Sequence, residues 1–144
     1  GKLGALLLVH VLQILVLGAV SVALGWRPGV GEILWSIPTW ILATGAFGAL
    51  GLLIAGTLRT EAVLALSNIF FILFVAIGGV AIPAESFPAP LSSVVALLPS
   101  AAAAHALSAA LSGNTPHAWT LVLLALWAVL FGALTVRFFR WTSA

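Results

Sequence analysis

The 144-residue chain has no cysteine, no methionine and no aspartate, and it sets three acids against five bases. Without cysteine there can be no disulfide and no thiolate metal site, and redox compartment stays open. Without aspartate, the acids are Glu32, Glu61 and Glu85, each in a separate connection. Charged residues make up 6% of the chain and hydrophobic residues 63%, where soluble domains hold about 25% and about 45–50%. So little charge cannot cover a water-soluble globule. The bases are scattered, with no run and no stripe interleaved with aromatics, so no nucleic acid is expected as a partner. Methionine is missing even at position 1, and Gly1-Lys2 leads straight into an apolar run, so a fragment or processed product is expected. That run exceeds the ~7–15-residue apolar core of a signal peptide and is expected to be a retained helix. The Ala, Leu, Gly and Val bias, with Arg outnumbering Lys, fits a GC-rich bacterial genome.

What is present is apolar length. Four runs reach the ~18–20 residues that span a hydrocarbon core about 30 Å thick. The fold class expected is all-α integral membrane, a single transmembrane domain over residues 1–144. Its four transmembrane helices are placed at about Leu3–Gly25, Ile33–Leu58, Ala62–Ile82 and His117–Phe139. Trp26-Arg27-Pro28-Gly29 stops the first, and a short loop runs to Glu32. Pro38 falls in the first turns of the second, where a missing N–H costs little. Arg59-Thr60-Glu61 is a tight polar turn, with Thr60 expected to cap the third helix and Glu61 suited to its N–H-rich start. With four crossings Lys2, Arg59, Arg137 and Arg140 share one side, and bases gather in the cytoplasm. Trp26, Trp35 and Trp119 then fall at outer helix ends and Trp141 at the inner end, as interfacial anchors do.

The stretch Leu91–Ser112 is long enough for a fifth crossing. A fifth crossing would move Arg137 and Arg140 outside and spoil the charge bias, and the stretch is rich in serine. A re-entrant pair of short outer-leaflet helices within 83–116 is expected instead. Leu91, Val94, Val95 and Leu98 recur at helical spacing opposite Ser92 and Ser93. In the second short helix His105, Ser108 and Ser112 form one stripe and Leu107 and Leu111 another, ending at Gly113-Asn114. Ala101–Ala104 adds a small surface, and Pro83, Pro88, Pro90 and Pro99 fix turns. A re-entrant segment survives at membrane depth only where protein or a wet cavity satisfies its backbone. The element is therefore expected to pack as a lid.

Enzyme chemistry fails by inventory. The glutamates sit on two sides of the membrane and cannot form an acid/base pair. His10 falls in the inner half of the first helix while His105 and His117 are outside, so no three-ligand metal site assembles. No nucleophile elbow, H-E-x-x-H or phosphate-binding loop occurs, so no cofactor is expected. Any ATP would be bound by another polypeptide. Small residues abound at helix-packing spacing: Gly45/Ala49, Gly51/Ala55 and Ala128/Gly132. They fit ordinary close packing or a mobile interface. His10, Gln13 and Asn68 are polar groups inside spans, suited to interhelical hydrogen bonds or to lining a substrate path. Arg59 and Glu61 serve capping and topology, or a surface that transmits motion to a cytoplasmic partner. Glu85 reads as a solvated loop acid.

The order of elements, with Gly78-Gly79-Val80-Ala81-Ile82-Pro83, then Phe87-Pro88, then Leu98-Pro99, resembles the C-terminal two-thirds of the membrane subunit of type-2 ABC exporters. Leu58-Arg59-Thr60-Glu61-Ala62 and Asn68 stand where that family has its inner turn and an early polar residue. After the last short helix that family often carries an acid-Ala-Leu-Arg run. Here it reads His105-Ala106-Leu107-Ser108, which puts a salt-bridge role in question. The family's first two helices and the coupling helix between its second and third have no counterpart in this sequence. The resemblance implies a multi-pass permease of the bacterial inner membrane, an ATP-driven exporter for a lipid-, drug- or glycan-like substrate. It implies a cytoplasmic ATP-binding subunit and a second permease subunit, alike or different, beside membrane lipid. A structural or assembly membrane protein without transport is the alternative, and an intramembrane enzyme a third that the inventory opposes.

Overall fold

The computed structural model describes residues 2–139, the side chains of residues 2, 3 and 6 excepted; Arg140 and Trp141 lie outside the described residues. Every regular element is helical: α1 (Lys2–Ala23), α2 (Val30–Thr57), α3 (Thr60–Ala76), a 3-10 turn (Ala84–Ser86), α4 (Leu91–Ala96), α5 (Pro99–Leu111) and α6 (Ala118–Phe138). Among the described residues α2 and α6 are long and apolar enough to cross a membrane, and Leu7–Ala23 and Thr60–Ala76 are shorter apolar helices. Leucine, isoleucine and valine cover the outside of α1, α3 and α6. An exterior of that kind needs lipid or another protein against it.

Glycine ends two helices, at Gly113 where the sequence suggests and at Gly25, ahead of the stop expected at Trp26-Arg27-Pro28-Gly29. Gly25, at φ 96°, follows α1, and the Trp26 N–H reaches back to Ser21 O at 2.9 Å. Gly113, at φ 78°, closes α5 the same way, with Asn114 N donating to Ala109 O at 3.0 Å. This left-handed cap returns orphan carbonyls to a donor, and only glycine adopts it without strain. Three other helix boundaries differ from expectation. α2 starts at Val30, so Glu32 lies in its first turn, where its carboxylate accepts from Gly29 N at 3.0 Å. Pro38 consequently stands two turns inside α2. α3 stops at Ala76, not near Ile82, because Gly78 is pressed against α5 and Gly79 turns left-handed at φ 80°. Thr60 does not cap α3: Arg59 is the extended N-cap residue, no side chain caps it, and Thr60 is already within the first turn.

The core is built on α2 and α6, which run parallel. A Cβ on Gly45 would lie 3.8 Å from Ala128 Cβ, and further along Thr135 Oγ1 donates to Ala49 O at 2.9 Å. Gly45/Ala49 is thus a close-packing pair, as small residues in lipid are, whereas Gly51 and Ala55 stay exposed. α5 lies antiparallel along the N-terminal halves of both helices. Its alanines Ala102, Ala106 and Ala110 are buried at helical spacing, and Ala102 packs with Leu123 and Leu124. α3 leans on α2 through Phe47 and Phe74, whose rings meet edge-on at 5.8 Å. α1 stands apart from this core.

Candidate functional site

The segment 83–116 is the most fully constructed part of the chain. It turns at the α4–α5 corner, Leu97–Ser100, where Trp127 Nε1 donates to Leu97 O at 2.9 Å. Trp127 is nine residues into α6, about 14 Å along the helix. The corner therefore sits level with the middle of α6. Pro99 forms the corner well, since proline at the first helical position gives up a donor that has no partner anyway.

At the corner the chain clasps the end of α3. Ser100 Oγ donates to Gly78 O at 2.7 Å, and both residues are buried. A Cβ on Gly78 would run into Ser100 Oγ and the Phe74 backbone, and one on Gly79 would come within 2.8 Å of Ala101 Cβ. The two glycines are there because backbone meets backbone. Above the clasp, Val95 packs with Ala84 and Ala101, flanked by Phe87 and Leu98.

The structure divides the apolar stripe expected on α4. Val95 is 1% exposed and Leu98 partly buried, but Val94 is 57% exposed and Leu91 also faces out. The helix ends at Ala96, so Leu98 belongs to the start of α5. Pro83 and Pro88 are exposed turn residues and Pro99 is buried. Glu85 is not alone: its Oε1 lies 3.2 Å from His105 Nε2. The pair joins the 3-10 turn to α5, both partners well exposed, so little stability attaches to it. No spacing signal links residues twenty apart, and only the fold brings them together.

The polar groups inside the helices are directed outward. His10 and Gln13 on α1 and Asn68 on α3 are all exposed on the chain surface, and they form no common cluster. Gln13 and Asn68 have no hydrogen-bond partner among the described residues. Arg59 and Glu61 are exposed in the α2–α3 turn. Among the described residues no group of His, Cys, Asp or Glu could hold a metal ion.

An all-helical chain with an apolar exterior and exposed polar groups on its helices has the character of a membrane domain. The family model described as ABC-2 family transporter protein matches residues 1–137, and the chain belongs to that family. It is a membrane component of permease type, not itself catalytic, and membership implies association with an ABC ATPase subunit. Neither a curated protein nor a solved structure matches the chain.

Proposed function

We propose that this chain is the four-crossing permease of an ATP-driven exporter in the bacterial inner membrane, with α1, α2, α3 and α6 as the crossings. Asn68 carries the reading. An amide left without a partner in a lipid-facing span costs free energy, so its exposed face on α3 suits a second permease subunit and the path between the two. The lipid-, drug- or glycan-like substrate would pass there, with Gln13 and His10 further path candidates. The Arg59–Glu61 turn lies at the end of α2, where an ATP-binding subunit would push. The re-entrant element would close the outer mouth.

Topology is tested on the naturally cysteine-free background. Ser112→Cys, at the outer end of α5, is expected to react with an impermeant thiol reagent on intact cells, and Thr60→Cys to be protected. The reverse pattern would overturn the orientation. Energy supply is tested by equilibrium nucleotide binding. The chain alone is expected to bind no ATP, whereas the full-length protein copurified with its ATPase hydrolyses it. Arg59→Glu is expected to slow that hydrolysis several-fold without loss of helicity. Saturable micromolar ATP binding by the chain alone would end the proposed division of labour.

A further inference from the structure

We infer that the gap between α1, α2 and α5 is a binding groove for one acyl chain of a bilayer glycerophospholipid whose phosphate sits at Arg27. The groove holds about 840 Å³ and is walled by Leu17 and Gly18 of α1, Ile37 and Trp40 of α2, and Leu107 of α5. That volume lies within the ~300–1,000 Å³ of small-molecule sites. It extends along α1 from Leu24 to Ile14, ten residues or about 15 Å. One leaflet of hydrocarbon, half of about 30 Å, has that depth.

The walls are apolar apart from two serines and the indole N–H groups of Trp26 and Trp40. The two serines that line it are satisfied locally, Ser21 Oγ donating to Leu17 O at 2.7 Å and Ser36 Oγ to Ile33 O at 2.8 Å. The mouth is different. Trp26 lines it, and the adjacent Arg27 is exposed with no ion-pair partner among the described residues. A cation at the interface above an apolar slot one leaflet deep complements an anionic headgroup above a hydrocarbon tail. Such a tail also accounts for the separation of α1 from the core. Leu107 and Leu111, which line the groove and not the alanine seam of α5, gain a neighbour in the same way.

This inference rests on the membrane-spanning reading and on the orientation proposed above, and its test is independent of transport. The full-length protein copurified with its ATPase is stripped stepwise in detergent and supplied with phosphatidylglycerol. Retained lipid is weighed by native mass spectrometry. The unaltered protein is expected to hold one phosphatidylglycerol. A Cβ on Gly18 meets nothing within 4 Å, so Gly18→Phe can fold while its ring fills the slot. Retention is expected to drop about tenfold, equivalent to losing about two buried methylenes. Arg27→Gln is expected to weaken phosphatidylglycerol about fivefold. Val16→Phe, on the opposite side of α1, is expected to change nothing. Equal retention in Gly18→Phe and Val16→Phe, with helicity intact, would overturn the site. Cross-linking of Ser36→Cys to a neighbouring polypeptide's helix lying in the groove would do so too. Loss of ATPase coupling with lipid retained removes the transport reading and leaves the groove assigned.

Discussion

Gly79→Val is expected to destabilise the outer element by about 3 kcal/mol. Two costs add. A branched side chain at φ 80° meets the left-handed penalty of about 1–2 kcal/mol. It would also intrude on Ala101, already 2.8 Å from a Cβ at that position, and overpacking a tight site costs about 1–3 kcal/mol. Gly78→Ala should follow for a related reason, since the new methyl displaces Ser100 Oγ and leaves the buried Gly78 carbonyl unsatisfied, a loss of about 1–3 kcal/mol. Gly48→Val provides the contrast: nothing lies within 4 Å of its Cβ. The measurement is thermal unfolding of the purified protein followed by tryptophan fluorescence, with helicity read in parallel. Equal melting temperatures for the Gly79 and Gly48 variants would mean that the clasp carries no stability.

Val95→Asp is the second large effect. Val95 is 1% exposed and packs with the apolar Ala84 and Ala101, flanked by Phe87 and Leu98, and the neighbouring Ser100 hydroxyl is already committed to Gly78 O. A polar group buried there without a partner costs about 2–7 kcal/mol. The protein is expected to be expressed poorly, or to be recovered with a leaky outer mouth. A milder comparison isolates the cause. Val95→Thr keeps the shape and buries one hydroxyl, for about 1–3 kcal/mol, while Val94→Thr places the same hydroxyl on the open face and should cost almost nothing. Equal tolerance of the two threonines, read as melting temperature and export, would mean that the element is not seated and the lid reading fails.

These cases separate what a sequence of this kind discloses from what it conceals. Backbone chemistry is local and was largely legible: Pro99 starts α5 and Gly113 ends it, though α1 is ended by Gly25 and not by Pro28 and Gly29. That the stretch after Pro83 holds two short helices was also legible, from its prolines and serines. Which face of a helix is buried was not legible, because helices apolar all round have no polar side to point away from the core. Hence Asn68 could be located but not given a direction. On α4, which does have a serine side, Val94 and Val95 part company because the six-residue helix seats only one edge of the expected stripe, the one facing Ala84 and Ala101. Thr60 was misassigned by a single position, the usual uncertainty of a helix end. The Gly78–Gly79 pair was visible as a motif. Its cause, contact with Ser100 and Ala101, needed the fold. So did the meeting of Glu85 with His105.

The parallel course of α2 and α6 has an electrostatic consequence. Antiparallel neighbours cancel each other's peptide dipoles, but parallel ones reinforce them. Each helix end carries about half an elementary charge, so the paired C-terminal ends present about one negative charge and the paired N-terminal ends about one positive. Arg137 in the last turn of α6 and Glu32 in the first turn of α2 follow this field, whereas Glu61, in the first turn of α3, suits only its own helix. That arrangement gives the pair a fixed polarity along its length. Like ends repel, so packing must hold α2 beside α6, and a tilt that parts their ends is opposed by packing and favoured by the field.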